Sequence, residues 1–142
     1  MVESVEAVIR WMQIDDEPRV RALYALGHPA WKERPPEWFF AHPTLLVEHE
    51  GAVAGFTSFS LGLLTGLMML HGQDVVVDPG HQGLGLGHRL HQARLAVGAA
   101  VGATLFSGIT SPTNDAMQRI FRAAGHHACQ TIRSYYPDGS DG

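Results

Sequence analysis

The chain has 142 residues, of which 45% are hydrophobic, and a formal net charge of −4. This size and apolar content predict a single domain, residues 1–142, that buries its core without disulfides or a structural metal. The negative charge argues against broad nucleic-acid binding, and the single cysteine, Cys129, excludes a disulfide within one chain and suits a reducing compartment.

The N-terminal third predicts a strand, a helix and an irregular cover. Residues 6–12 are expected to form the first strand and residues 15–26 the first helix, with Asp15 or Asp16 as its N-cap. The start of the chain lacks a basic segment and a long apolar run, so no signal peptide is expected and the cytoplasm is the predicted location. Residues 27–43 carry four prolines and several aromatic residues and are expected to cover the sheet.

Residues 51–70 contain no charged side chain and are long enough to span a bilayer as a helix. Four glycines and four hydroxyl-bearing residues interrupt the segment, which fits two strands and a turn better than one helix. We therefore predict strands at 44–49, 52–61 and 67–77 and no membrane span.

The second half of the chain predicts alternating helices and strands. Apolar residues at positions 86, 90, 93 and 97 predict a helix over 84–100. A strand over 103–108, a helix over 114–124 and a last strand over 127–135 follow, and residues 138–142 are expected to form a frayed tail.

Residues 75–87 run from an apolar strand through a glycine-rich turn into a helix. Pro79 ends the strand, and glycines at 83, 85 and 87 allow positive φ, so successive N–H groups can converge on phosphate oxygens at the positive end of the helix. A P-loop would need Gly-Lys-Ser/Thr where this chain has Gly87-His88-Arg89. A dinucleotide fingerprint would follow the first strand of a βαβ unit, not roughly seventy residues of other elements.

Two motifs in this region resemble the GNAT N-acetyltransferases. Gln82-x-x-Gly85-x-Gly87, preceded by Val77-x-Pro79, is similar to the acetyl-CoA loop of that family. Downstream, the family reads roughly N-x-x-A-x-x-L-Y-x-x-x-G-F, and this chain has residues at matching spacings in Asn114, Ile120, Phe121 and Gly125. The resemblance covers residues 70–126, and upstream only the order of the elements agrees.

The resemblance implies an α/β (α+β) GNAT fold, in which a mixed, mostly antiparallel sheet of six or seven strands is flanked by helices and splays open at the acetyl-CoA site. It implies an N-acetyltransferase that moves an acetyl group from acetyl-CoA to a primary amine of a small molecule, peptide or protein, the acceptor being unknown. The alternative is a non-catalytic acyl-CoA-binding module, because Phe121 replaces a catalytic residue of the family and the C-terminal region is short.

The residues that bind the cosubstrate are also implied by the resemblance. Backbone groups of Val75, Val76 and Val77 would bond the pantetheine arm, and an amide near Val76 would meet the thioester oxygen. The pyrophosphate would be wrapped by the turn residues Gln82, Gly83, Leu84, Gly85, Leu86 and Gly87. His88 or Arg89 would add charge unless they form a solvated helix face, and Asn114 would contact the arm unless it only caps its helix.

Phe121, which the resemblance also places among the residues that bind the cosubstrate, stands where family members commonly have a tyrosine that protonates the CoA thiolate. Phenylalanine cannot donate a proton, but a thiol pKa of about 8.5 lets the thiolate leave without a strong acid. The replacement donors that we consider are Tyr135, Tyr136, Cys129, His126 and water.

For the base that takes the proton of the amine, Asp74 is slightly preferred over His71. Strict strand alternation puts residues 71, 73, 75 and 77 on one face and residues 74 and 76 on the other. Both side chains can therefore face the amine only if the strand contains a bulge. The alternative for each is a polar residue on the strand surface.

Nine histidines raise the question of a metal site. His88 and His91 have helical i, i+3 spacing and His126 and His127 are adjacent, but no set of His and Cys has a recognised ligand spacing. No metal is therefore predicted.

A homodimer is predicted from the end of the hairpin. Six apolar residues crowd it, namely Leu61, Leu63, Leu64, Leu67, Met68 and Met69. This is more apolar area than a short turn normally exposes, and a short C-terminus leaves a sheet edge that a second copy could cover. The alternative is that residues 28–40 fold over these side chains within one chain.

Overall fold

The computed structural model describes residues 6–27, 40–133, 135 and 139–142. The strands are β1 (Ala7–Trp11), β2 (Thr44–His49), β3 (Ala52–Leu64), β4 (Leu67–Val77) and β5 (Leu105–Gly108). The helices are α1 (Glu17–Gly27), α2 (Leu86–Ala100) and α3 (Asp115–Ala123), with 3₁₀ turns at Ile14–Asp16 and Pro79–His81.

The strands form one sheet in the order β1-β2-β3-β4-β5, with antiparallel neighbours except for the parallel pair of β4 and β5. This confirms the predicted mixed, mostly antiparallel sheet flanked by helices. The described residues form five strands, however, and not the six or seven that were predicted.

Each face of the sheet is covered by a different helix. On one face, which we call the α1 face, α1 packs on the strands in a buried cluster of Val20, Leu23, Tyr24, Leu46, Phe56 and Val76. On the opposite face, the α2 face, α2 covers two buried clusters, one of Val47, Ala54, Leu86 and Leu90 and the other centred on Leu45, Phe59 and Leu70. Each valine, leucine or phenylalanine side chain among them stabilises the fold by about 1.5–3 kcal/mol when fully buried.

Helix α2 lies close to the sheet along a stripe of residues spaced four apart. Leu86, Leu90, Arg94 and Gly98 are all buried, as expected for the inner face of a helix. At Gly98 a Cβ would come within 2.6 Å of Leu70 Cδ1, so the helix packs closely on β4 there. The predicted helix is confirmed, but its buried stripe contains an arginine.

The uncharged residues 51–70 form β3 and the start of β4, joined by a tight turn. Thr65 and Gly66 both have positive φ, 50° and 84°, as in a two-residue type I′ hairpin. Leu64 pairs with Leu67 across the turn. In the described ranges, no helix has the length and apolar character needed to cross a membrane.

A bulge interrupts β4 in the middle of the sheet. Ser58 pairs with Asp74 but Phe59 pairs with Gly72, so Gln73 is an extra residue in β4. A bulge breaks the alternation of side chains and turns two neighbouring residues towards the same face. The strict alternation that separated His71 from Asp74 in the sequence therefore does not apply.

Hydrogen bonds show which side chains share the α1 face at the bulge. Ser58 Oγ donates to Asp74 Oδ2 at 3.0 Å, and Gln73 Nε2 donates to Ser60 Oγ at 3.3 Å. Ser60 is the strand partner of His71. His71, Gln73 and Asp74 consequently lie on one face, while Gly72 points to α2.

The sheet opens between β4 and β5. The two strands pair only over Met69–Gly72 and Leu105–Gly108. From Gln73 to Val77, β4 has no strand partner on this edge among the described residues. Backbone N–H and C=O groups on that edge need other partners, and this is the splayed edge that was predicted.

The predicted last strand over 127–135 is wrong for residues 127–133, which contain no strand. After α3, Gly125 takes a φ of 86°, and the His126 ring stacks on Phe106 with 4.2 Å between ring centroids. Because Phe106 packs on the α2 face, this contact carries the chain beneath β5 and not alongside its edge. The prediction of a frayed tail is wrong for Gly142, which exchanges two backbone hydrogen bonds of 2.9 Å with Ile132.

Candidate functional site

A cleft of about 570 Å³ lies where the end of β4, the glycine-rich turn and α3 meet. The predicted cosubstrate residues that line it are Val75, Val76, Val77, Gln82, Gly83, Gly85, Leu86, Gly87, His88 and Asn114. Leu26 and Gly27 at the end of α1 close one side of the cleft, and Ala116, Met117, Arg119 and Ile120 of α3 close the other. The structure thus brings most of the predicted cosubstrate residues into one concave site.

The loop between β4 and α2 is braced from below by Asp78. Its carboxylate accepts from Gly80 N–H at 2.9 Å and pairs with Arg19 Nη2 at 2.6 Å. Arg19 and then the Gly80 N–H hold the pKa of the Asp78 carboxyl below its usual range. The ionised carboxylate therefore fixes the entry to the turn against α1.

The glycines of the turn are required for two different physical reasons. Gly83 and Gly85 have φ of 81° and 75°, and a Cβ at either position would meet no atom within 4 Å, so backbone conformation is what requires glycine there. Gly85 is the N-cap of α2 and brings no side-chain cap, which leaves the first N–H groups of the helix open to the cleft. Gly87 has another role, because its Cβ would lie 2.9 Å from Ile120 Cδ1 where α2 meets α3.

Asn114, at the opposite wall, caps α3. Its Oδ1 accepts from Met117 N–H at 3.1 Å. The same residue lines the cleft, so the cap and a contact to a ligand through Nδ2 are compatible.

Leu84 and Phe121 are the two predicted cosubstrate residues whose side chains are not in the cleft wall. Leu84 packs on the cluster beneath α2. Phe121 lies in an aromatic cluster on the α2 face, 5.6 Å from the Phe106 ring and 5.5 Å from the His91 ring between centroids. Ile120, its neighbour, takes the position facing the cleft.

Both candidate bases are held by hydroxyl groups on the α1 face. His71 Nδ1 is 2.7 Å from Ser107 Oγ of β5, and burial, followed by electrostatic interaction with Arg94 and His42, lowers the pKa of its imidazole. The ring is therefore neutral at pH 7 and can accept a proton. Asp74 is only 6% exposed and accepts from Ser58, so it is more enclosed than His71. Neither residue lines the cleft; both lie on β4 shortly before Val75, the first residue of the strand that does.

The candidate acids lie apart from the cleft. Tyr135 packs on Gly142 and does not line the cleft, Cys129 is exposed, and Tyr136 lies outside the described residues. His126 Nε2 is 2.9 Å from His91 Nε2 beneath β5. Within the described ranges, no three His, Cys, Asp or Glu residues converge as metal ligands. Of the two histidines at i, i+3 spacing, His88 lines the cleft and His91 is buried.

Sequence reasoning missed three residues near the site. Arg119 lines the cleft from α3, Ser107 anchors His71, and Arg94 lies beneath the β4 bulge. The sequence did indicate that Arg94 would be buried, because it follows Leu86 and Leu90 at four-residue intervals on an apolar stripe. The sequence carried none for Ser107, because the register between β4 and β5 depends on tertiary packing.

A family model described as the acetyltransferase (GNAT) family matches residues 6–126. No curated protein matches the sequence.

Several solved structures share the fold. An acetyltransferase of Trypanosoma brucei superposes with a TM-score of 0.74 at 18% identity, covering 88% of this chain and 95% of that chain. An aminoglycoside N-acetyltransferase, AAC(6')-Iy, in complex with a bisubstrate analog of CoA and acetylneamine superposes with a TM-score of 0.72 at 19% identity, covering 88% of this chain and 93% of that chain. A ribosomal-protein-alanine N-acetyltransferase from Brucella melitensis biovar Abortus superposes with a TM-score of 0.74 at 16% identity, covering 88% of this chain and 94% of that chain.

Proposed function

The chain belongs to the acetyltransferase (GNAT) family, a family of acyltransferases, and from this premise we propose that it transfers the acetyl group of acetyl-CoA to a primary amine of a small molecule, peptide or protein. The observation that carries the proposal is the cleft, in which a turn with two left-handed glycines and an uncapped helix end adjoins an unpaired strand edge.

The turn suits the pyrophosphate of acetyl-CoA. The open N–H groups at the start of the 15-residue α2 and the positive end of its dipole attract phosphate oxygens. Gln82, Gly83, Gly85, Leu86 and Gly87 would surround the pyrophosphate, with Leu84 contributing through its backbone. His88 and Arg119 line the same cleft and add donors for the anion.

The open edge of β4 suits the pantetheine arm. A chain of amides lying along an unpaired strand can take up the hydrogen bonds that a neighbouring strand would supply. Val75 and Val77 offer such groups on the side facing away from β3, because backbone groups alternate along a strand and Asp78 N–H, like the groups of Val76, is directed at β3. The arm would then lead from the turn towards the bulge, where the thioester oxygen meets an amide near Val76.

The reaction needs a group that accepts a proton from the amine. The amine nitrogen forms a bond to the thioester carbon, the bond from carbon to sulfur breaks, and the sulfur leaves as a thiolate. The geometry favours His71 over Asp74 as the base, because His71 is neutral, half-buried and oriented by Ser107. Asp74, enclosed beside Ser58, is better placed to orient a water or the acceptor.

The leaving thiolate needs no tyrosine in this account. Phe121 cannot donate, and Tyr135, which packs on Gly142, is outside the cleft wall. A thiol pKa of about 8.5 allows the thiolate to depart and to be protonated by water. The lack of a proton donor at Phe121 is also what favours the second candidate, an acyl-CoA-binding module without turnover.

The proposal also includes self-association of the chain and its location in the cell. At the tip of the hairpin, the exposed fractions of Leu63, Leu64 and Leu67 are 74%, 51% and 50%. We propose that a second copy covers them in a homodimer. The alternative cover, residues 28–40, falls almost entirely outside the described residues. The cytoplasmic location stays a prediction.

Acetyl-CoA turnover over a panel of amines tests the proposal. Small polyamines, aminoglycosides, N-terminal peptides and lysine peptides are incubated with acetyl-CoA, and free thiol release is followed together with the mass of the acetylated product. We expect product from at least one class and calorimetric binding of CoA. Tight CoA binding with no product from any class would favour the binding module, and no CoA binding would contradict both.

A further inference from the structure

Arg94 is a fully buried cation beneath the β4 bulge. Its side chain is 1% exposed, and its guanidinium lies 5.4 Å from the centroid of the Phe106 ring. Burial lowers the pKa of Arg94 to about 10, so the group stays charged at neutral pH. Taking a guanidinium out of water costs several kcal/mol unless its donors are satisfied.

The donors of Arg94 are directed at the backbone on either side of the bulge. Nη1 donates to the carbonyl oxygen of Ser58 at 3.2 Å and to that of Asp74 at 3.3 Å. The Asp74 carbonyl also accepts from Thr57 Oγ1 at 2.6 Å. Side chains on the α2 face therefore satisfy backbone groups at the point where the register shifts.

Gly72 makes room for this guanidinium. A Cβ at position 72 would lie 2.7 Å from three guanidinium atoms of Arg94, namely Cζ, Nη1 and Nη2. Gly72 is the last residue of β4 that pairs regularly before the extra residue Gln73. The glycine and the arginine thus fit each other at the bulge.

Two histidines fix the other end of the guanidinium. Arg94 Nε donates to His91 Nδ1 at 2.9 Å, and since an arginine can only donate, this ring nitrogen carries no proton. Burial and then the charge of Arg94 lower the pKa of His91 to about 3, so the ring is neutral and Nε2 carries its proton. That N–H donates to His126 Nε2 at 2.9 Å, which links Arg94 to the segment after α3.

We propose that Arg94 is a positioning residue that holds the β4 bulge from the α2 face and thereby keeps His71 and Asp74 together on the α1 face beside the open strand edge. The inference rests on the proposed acyl transfer, in which those two side chains serve the amine. Without the guanidinium, the carbonyl groups of Ser58 and Asp74 lose a donor in the core, and a regular ladder that turns Asp74 away from His71 becomes competitive.

The test uses four variants of the full chain, Arg94→Met, Arg94→Lys, Gly72→Ala and the double variant Gly72→Ala/Arg94→Met, with Gly98→Ala as the matched control. The control also adds one Cβ beneath α2, 2.6 Å from Leu70, but does not touch the guanidinium. For each folded variant, kcat, the KM of the amine, calorimetric CoA affinity and the pH dependence of kcat/KM are measured.

We expect Arg94→Met to lower kcat more than tenfold while CoA affinity changes less than threefold. The charge of Arg94 lowers the pKa of His71, so its removal should also move the acid limb of kcat/KM to higher pH. Arg94→Lys should restore the position of that limb and part of kcat. Gly72→Ala should act like Arg94→Met, and the double variant should be no worse than Arg94→Met alone, because the Cβ then enters vacated space.

Hydrogen exchange separates failure of this inference from failure of the proposed function. If the parent protein acetylates no amine, the exchange of amides 72–75 still reports the bulge, and we expect Arg94→Met or Gly72→Ala to speed it at least tenfold relative to β2. A folded Arg94→Met variant with kcat within twofold of the parent and an unmoved pH limb would overturn the inference. Unchanged exchange of amides 72–75 would overturn it as well. If Arg94→Met does not fold, the same measurements on Arg94→Lys and Gly72→Ala test the inference in its place.

Discussion

The two halves of β4 build their parts of the site in different ways. Towards its C-terminal end, Val75–Val77 and the following turn present backbone groups, and glycines at 83 and 85 set the conformation. Towards its N-terminal end, His71 and Asp74 present side chains whose common face depends on an extra residue and on a buried arginine. A backbone site can be read from local residue types, whereas a side-chain site depends on register, which distant contacts set.

The largest expected effect is on the side-chain half. His71→Ala should lower kcat about 100-fold with CoA affinity unchanged, since general base catalysis contributes on the order of 10²–10⁴-fold. Because the pKa of His71 is lowered, the parent protein should keep kcat/KM down to a pH below 6.5 and lose it as the imidazole is protonated. A comparable loss in Asp74→Asn with none in His71→Ala would reverse the assignment of the base.

Disturbing the backbone half should give the opposite pattern. Gly85→Asp forces a side chain into a φ of 75° and puts a carboxylate at the end of α2, so CoA affinity should fall more than tenfold, or about 1.4 kcal/mol. Gly51→Asp is the control, because Gly51 also has a positive φ, 78°, and open space around its Cβ. Calorimetry that finds equal CoA affinity in both folded variants would remove the turn from the binding site.

The hairpin tip lies outside both halves and tests self-association. Light scattering should report roughly twice the chain mass of 15.5 kDa, because exposed leucines at the tip gain from burial. Leu64→Asp should shift the protein towards monomer, while Val8→Asp, at an exposed apolar residue of β1 that is level with Val53 at the other end of β3, should not. A parent protein that is monomeric at every concentration would end the dimer proposal.

The smallest effect is expected at the aromatic residues near the leaving group. Phe121 lies in the cluster of Phe106, His91 and His126, and Tyr135 is outside the cleft wall, so Tyr135→Phe should leave kcat within about twofold. Phe121→Tyr should raise kcat slightly or leave it unchanged. A tenfold fall of kcat in Tyr135→Phe with CoA affinity retained would instead assign the acid to Tyr135.

The difference between the halves also explains what the sequence could predict. The hairpin, the Gly83–Gly87 turn and the buried stripe of α2 each follow from residue types within a few positions, and the structure has them. The bulge at Gln73 could not be predicted, because it arises from how β3 and β4 pair around Arg94. The prediction of a last strand was wrong for a related reason, since the stacking of His126 on Phe106 is a contact between residues that are distant in the sequence.

A crystal structure of the protein with bound CoA would show directly whether the cleft holds the cosubstrate. We expect pyrophosphate oxygens within hydrogen-bond distance of amides in the Gly83–Gly87 turn, and the pantetheine arm along Val75–Val77 with its sulfur directed towards the side of the sheet that carries His71. CoA bound at another surface, or an arm that leaves the open edge of β4 uncovered, would contradict it.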